Sequence, residues 1–171
     1  MFRTFWGGVL LFVFAGVLQS GLFSGWRLLH GTPDAVLLAW AVWVLYETRY
    51  APPWAWALLA GAVIEVYSAL PVGVPLLGYG LAGLVAHYVL QRIEEPRIPL
   101  LFLFLWIGTI LVQGSAFLGR WLFDDVTASA QVVLTQIILP SMLLNSLLAL
   151  PFYAIVGEWA DWTLPPRELA A

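Results

Sequence analysis

Six runs of apolar residues, each broken from the next by a short polar or proline-bearing stretch, organise the chain; they cover 5–23, 34–46, 53–70, 72–90, 99–118 and 132–156. A membrane-crossing helix needs about 20 mostly apolar residues, with a range of roughly 17–25. All the runs but the second meet that range, and the short second run predicts a helix lying partly buried among its neighbours. The third and fourth are separated only by the turn around Pro71. The connecting stretches, and the tail "TLPPRELAA", are too short to fold alone. Residues 1–171 are therefore predicted to form one all-α integral membrane domain, a six-transmembrane-helix bundle. Arg3 followed by an apolar core has the look of a secretory leader, but "SGLFSGW" after Gln19 carries no small-x-small cleavage pattern, so the first segment is expected to remain as a helix.

Composition fixes the solvent. The 171 residues are 62% hydrophobic and 10% charged, with a mean hydropathy of +0.91, whereas a soluble domain is about half apolar and about a quarter charged. Lipid, not water, must cover this surface. Cysteine is absent, which excludes disulfides, thiolate catalysis and thiolate-bound metal. A net charge of −3 without a basic cluster argues against nucleic acid as a partner.

The charges also predict orientation. With the N-terminus inside, Arg3, Arg49, Arg92, Arg97 and Arg167 fall on the inner side, and only Arg27 and Arg120 on the outer. This bias places both termini in the cytoplasm, which requires an even number of spans and agrees with six. Trp6, Trp26, Trp54, Trp106, Trp121, Trp159 and Trp162 fall near segment ends, where an aromatic belt is expected.

Gly78, Gly80 and Gly83 spell G-x-G-x-x-G, the fingerprint of a dinucleotide-binding turn. That fingerprint works after a strand and at the start of a helix; here it sits inside a predicted membrane helix. Close helix packing is the physical use left to it, because small residues let backbones approach in lipid, where apolar side chains gain little by leaving their solvent. Ala82 and Ala86 continue this small face, Gly21 and Gly25 form a similar pair at the end of the first helix, and Ser115 and Gly119 another in the fifth. On this reading Gly80→Leu harms folding or assembly.

Glu65 is the lone acid of the third run. Counted from Trp54 it lies ~17 Å along a helix rising ~1.5 Å per residue, near the middle of a ~30 Å hydrocarbon core. An ionised acid there costs about 2.5–3.5 kcal/mol. It is expected to face the bundle interior, with Tyr67 and Ser68 close in sequence and His87 or Asn145 within spatial reach. Three roles fit it: a hydrogen-bonded structural acid, a ligand or coupling-ion site, or a contact with another membrane subunit. The turn that follows, Leu70–Pro75, places Pro71 and Pro75 around Gly73, a rigid connection that lipid tolerates only when shielded or at the surface.

In the last run Ser141, Asn145 and Ala149 recur every fourth residue and share one helix face, the pattern of a polar helix–helix contact. Pro140 and Pro151 bracket the stretch and are expected to kink the helix or delay its start. His30 and His87 lack a second ligand at metal spacing. Asp124 and Asp125 suit a helix cap or a solvated loop, with Arg120 and Asp124 spaced for an ion pair.

Taken in order, "TPDAVLLAWAV" (Thr32–Val42), "GAVIEVYSALPVGVPLLGYGLAGLVAHYVLQR" (Gly61–Arg92) and "LLNSLLALPFY" (Leu143–Tyr153) resemble the rod shape-determining protein MreD family. The chain departs from the family at Glu65, where an Asp is usual. The resemblance implies a non-enzymatic inner-membrane scaffold of the bacterial cell-elongation machinery. Its implied partners are membrane lipid, an MreC-like bitopic protein, and beyond it MreB, RodA and a class B penicillin-binding protein. It also implies a fold similar to the substrate-binding subunits of energy-coupling-factor vitamin transporters, and no cofactor. Asp34, Glu65, Pro71, Gly73, Gly78, Gly80, Gly83 and Asn145 are the candidate packing or partner-contact residues. Two competing functions are a transporter's substrate-binding subunit, drawing on Glu65, His87 and Asn145, and a small membrane enzyme using Glu65 with His87.

Overall fold

The computed structural model describes residues 2–47, 50–93, 97–123 and 128–164. Arg49 and Arg167 of the inner charge set, and the Asp124 and Asp125 cap, lie outside the described residues. Six helices follow one another: α1 (Phe2–Gly21), α2 (Ala35–Tyr46), α3 (Pro53–Tyr67), α4 (Val74–Leu90), α5 (Arg97–Phe123) and α6 (Ala130–Thr163). Apart from an isolated bridge between Leu28 and Gly31, the described residues form no strand.

Consecutive helices alternate in direction. At one end Arg3 Nη2 donates to the Trp162 carbonyl at 2.9 Å, Trp159 Nε1 donates to the Gly7 carbonyl at 3.1 Å, and the Arg97 guanidinium sits 5.4 Å from the centre of the Tyr46 ring. The start of α1, the end of α2, the start of α5 and the end of α6 therefore share this end.

Three helices, α1, α5 and α6, are long and apolar enough to cross a membrane. The other three are shorter, α2 as expected from its run and α3 and α4 below the length expected of theirs. At ~1.5 Å per residue, the 12 residues of α2 reach only about 18 Å. Its sequence has no polar face, and a helix apolar on all sides belongs in a core. Ala35 through Val44 indeed have no exposed surface, enclosed by α1, α3, α5 and α6. Residues 53–70 were expected as one span, but α3 ends at Tyr67. Ser68 turns extended and its hydroxyl accepts from Leu70 N at 3.0 Å, which starts the turn early.

The stretch before α2 takes up the length that α2 lacks. His30 N donates to the Gln136 carbonyl (3.0 Å), Thr32 N to Ser141 Oγ (3.1 Å) and Asp34 N to Asn145 Oδ1 (2.8 Å). Alternate amides of an irregular segment are thus tied along α6. Irregular backbone survives at membrane depth only where protein satisfies its polar groups.

Two prolines shape α6. Residues Leu134–Ile138 form a π turn, with Leu139 N bonded to the Leu134 carbonyl one residue further back than in an α-helix. Pro140 has no N–H for the Gln136 carbonyl four residues before it, and His30 N supplies the missing donor. A Cβ at Gly31 would lie 2.6 Å from Ser141 N and 2.9 Å from the Ile137 carbonyl oxygen, so only glycine fits this notch.

Candidate functional site

The polar side chains converge where α2 begins. Asp34 caps α2, its Oδ1 accepting from Leu37 N at 2.9 Å, which satisfies one of the free amides at a helix start. The Tyr79 hydroxyl of α4 lies 2.8 Å from each Asp34 carboxyl oxygen. Asn145 of α6 accepts from Asp34 N and donates through Nδ2 to Thr109 Oγ1 of α5 at 2.9 Å; Thr109 in turn donates to the Leu105 carbonyl at 2.6 Å. Gln19 of α1 completes the junction. Its Oε1 accepts from Ala35 N at 2.7 Å and its Nε2 donates to the Pro33 carbonyl at 2.9 Å.

Five helices thus meet through one hydrogen-bonded network. Asn145 and Thr109 are buried, at 0% and 1% exposed, and a buried polar group left unpaired costs about 1–3 kcal/mol. The network therefore fixes the positions of α1, α4, α5 and α6 around the head of α2. Sequence reasoning had Asp34 and Asn145 but not Tyr79, Thr109 or Gln19. A tyrosine in an apolar helix and a lone threonine or glutamine carry no spacing signal.

A second polar cluster marks the other end of α2. Glu47, 1% exposed, accepts hydrogen bonds from Trp56 Nε1 and from Tyr50 N. Trp56 also packs edge-on against Trp43, with ring centres 5.6 Å apart, while Trp40 Nε1 donates to the Pro53 carbonyl at 3.2 Å. Glu47 follows the predicted second run directly, and no motif or spacing in the sequence singled it out.

Glu65 lies eleven residues past Trp54 on α3, as counted along the run. It occupies the last turn of α3, and its Oε1 accepts from Gly73 N at 2.7 Å; Oε2 is enclosed and takes no hydrogen bond among the described residues. The acid closes the α3–α4 turn. Gly73 there has φ +91°, a left-handed conformation that costs a residue with Cβ about 1–2 kcal/mol. Pro71 contributes its carbonyl to Val74 N at 3.1 Å, and Pro75 opens α4.

His87 and Asn145 do not approach Glu65. Glu65 meets Gly73 just before α4, whereas His87 lies in the last turn of α4, bonded to Gln91 at 3.0 Å. Fourteen residues of helix separate Gly73 from His87, about 21 Å at ~1.5 Å per residue. The triad proposed for a transporter pocket and the pair proposed for an enzyme are therefore spread over separate parts of the bundle. No group of three or more His, Asp or Glu suited to a metal occurs among the described residues. An open apolar groove of about 500 Å³ lies between the starts of α1 and α3, lined by Phe5, Tyr50, Ala51, Ala55, Trp56, Leu58 and Leu59. It shares no residue with the Asp34 junction.

The glycines of α4 divide by face. A Cβ on Gly78 would meet Ser115 Oγ and lie 3.0 Å from Val112 Cα of α5. One on Gly83 would lie 2.5 Å from Ala57 Cβ and 2.6 Å from Trp54 Cα of α3. These two let α4 sit close between α3 and α5. Gly80 differs: among the described residues a Cβ there meets only Leu58 Cδ2, at 3.3 Å, so the expected packing role belongs to Gly78 and Gly83. Among the described residues Gly21 and Gly25 have nothing within 4 Å of such a Cβ, while Gly119 packs on Val74.

No curated protein and no solved structure matches the chain, so the likeness to transporter substrate-binding subunits has no matched structure behind it. The model of the rod shape-determining protein MreD family matches residues 2–160 of the 171. That match spans the apolar helices, the Asp34 junction and the α3–α4 turn together, and the chain is a membrane protein of the MreD family, with a role in rod shape determination.

Proposed function

We propose that the chain is a non-catalytic scaffold subunit of the cell-elongation complex in the bacterial inner membrane. It binds an MreC-like bitopic protein and through it supports peptidoglycan synthesis alongside MreB, RodA and a class B penicillin-binding protein. The observation that carries this reading is where the polar groups go. Asp34, Tyr79, Asn145, Thr109 and Gln19 spend their hydrogen bonds on joining helices, which suits a rigid platform rather than a reaction chamber. The outer faces of α1, α5 and α6 offer large apolar side chains for neighbouring helices.

Co-purification in mild detergent with a tagged MreC-like protein tests the assignment, together with deletion of the gene. Recovery of the pair and loss of rod shape are expected. A chain that purifies alone and whose deletion leaves rods unchanged defeats it.

Both termini are placed in the cytoplasm, with the single chain spanning the membrane six times. The grouping of Arg3 and Arg97 at one end of the bundle supports this. Alkaline phosphatase fused to either terminus is expected to be inactive and green fluorescent protein bright. Active phosphatase at either end reverses the orientation.

A further inference from the structure

Amide and hydroxyl side chains within the bundle are spent on other parts of the chain. Gln19, Thr109, Ser115, Ser141, Asn145 and Ser146 each give or take a hydrogen bond. Gln113 of α5 departs from this pattern: it is partly exposed and bonds to no described residue. It lies 16 residues after Arg97 and 10 before Phe123, about 24 Å and 15 Å along the helix at ~1.5 Å per residue. A hydrocarbon core of ~30 Å centred on α5 encloses it, too deep for so short a side chain to reach the headgroups.

Helix α5 turns this amide outward. Trp106, Ile110, Gln113 and Phe117 recur at spacings of four, three and four, so they share one face with the period of a helix–helix seam. Trp106 and Ile110 are each 47% exposed, whereas Leu101, Gly108 and Ser115 on the opposite face are buried. Trp106 Nε1 already donates to Ser146 Oγ at 3.0 Å, which leaves the Gln113 amide unspent on this face. Next to it stands Gly114, where a Cβ would find nothing within 4 Å among the described residues.

A lipid tail offers neither donor nor acceptor, and water is scarce at this depth. A carboxamide carries two N–H donors and an oxygen acceptor, so its complement is a second carboxamide, each giving one N–H to the other's oxygen. Two copies of the chain inserted in the same orientation hold Gln113 at the same depth. A two-fold axis along the membrane normal then sets the two amides face to face, and the open glycine beside each lets the two α5 backbones approach. A partner of different sequence has no such built-in match of group and level.

We infer that two copies of this chain pair through α5, with their Gln113 amides hydrogen-bonded to each other across a two-fold axis and Gly114 at the contact. The pairing goes beyond the scaffold reading and does not depend on which partner that scaffold holds.

The chain has no cysteine, so single cysteines report contacts cleanly. Ile110→Cys and Phe117→Cys, one turn to either side of the amide, are oxidised in native membranes beside Leu84→Cys of α4 and Leu147→Cys of α6, both exposed on other helices. Disulfide-linked dimers are expected from the two α5 positions and not from the controls. Gln113→Leu should cut the Ile110→Cys dimer at least fivefold, and Gln113→Asn, which keeps the amide, should retain more of it. At a high detergent-to-protein ratio, where copies separate, the unfolding midpoint of Gln113→Leu should not fall, because the amide holds nothing within its own chain. No dimer from α5, dimers as strong from the controls, adducts with a different protein in place of the dimer, or a dimer that Gln113→Leu leaves unchanged overturns the pairing. So does a fallen midpoint, which would tie the amide to its own chain. Co-purification with an MreC-like protein reads the scaffold assignment separately, so each can fail without the other.

Discussion

Gly83→Leu is expected to remove most of the folded protein recovered from membranes, whereas Gly80→Leu, three residues earlier on the same helix, leaves the yield near that of the parent. At Gly83 even the first carbon of a side chain would stand 2.6 Å from Trp54 Cα and 3.3 Å from the Pro53 carbonyl oxygen. These are backbone atoms, so relief means moving α3 as a body. Moving it also disturbs Trp56, whose indole packs against Trp43 and bonds Glu47. Overpacking a well-filled interior typically costs about 1–3 kcal/mol, occasionally more, and an obstacle made of backbone puts Gly83 at the upper end or beyond. At Gly80 the only neighbour among the described residues is the tip of Leu58, a partly exposed and rotatable side chain. Gel filtration and thermal unfolding in detergent separate the two variants. Equal behaviour would mean that α3 and α4 are not packed as described.

The second large effect is expected at Asp34. Asp34→Ala deletes the cap of α2, worth about 0.5–2 kcal/mol, and strands the Tyr79 hydroxyl, which is 0% exposed, at about 1–3 kcal/mol. Together these lower stability by about 3 kcal/mol. Asp34→Asn keeps a capping oxygen and an acceptor for Tyr79, so it should recover most of that loss. Because Asp34 and Tyr79 act on each other, the double variant Asp34→Ala with Tyr79→Phe should be less destabilised than the sum of the two, by a coupling of roughly 1 kcal/mol. Full additivity, or an Asp34→Ala protein that unfolds with the parent, would show that the junction does not hold the helices.

Some of this was legible in the chain and some was not. Asp34 was legible through the family resemblance, as the aspartate of the proline–aspartate pair that opens the second run, and its cap on α2 came only with the structure. Asn145 shared a four-residue spacing with Ser141 and Ala149, and all three are buried on one face of α6. The end of the third helix was misplaced because counting along an apolar run assumes that helix and run end together. Ser68 and the left-handed Gly73 close α3 before the run is over. The small-residue pattern in α4 located the close packing but credited Gly80 equally with Gly78 and Gly83, since sequence spacing cannot tell which neighbour stands opposite.

The sequence by itself determined the solvent, the all-helical class, the number and order of the helices, and the MreD family. Hydrophobicity summed over a run and the placement of prolines and charges carry that information without reference to anything outside the run. Only the tertiary structure decided which helix is central, which glycines touch backbone, and that Gln19, Asp34, Tyr79, Thr109 and Asn145 form one junction. In water, a core face differs from a surface face by polarity, and the pattern can be read along the chain. In lipid both faces are apolar, so the side turned towards another helix and the side turned towards hydrocarbon look alike until the helices are set against each other.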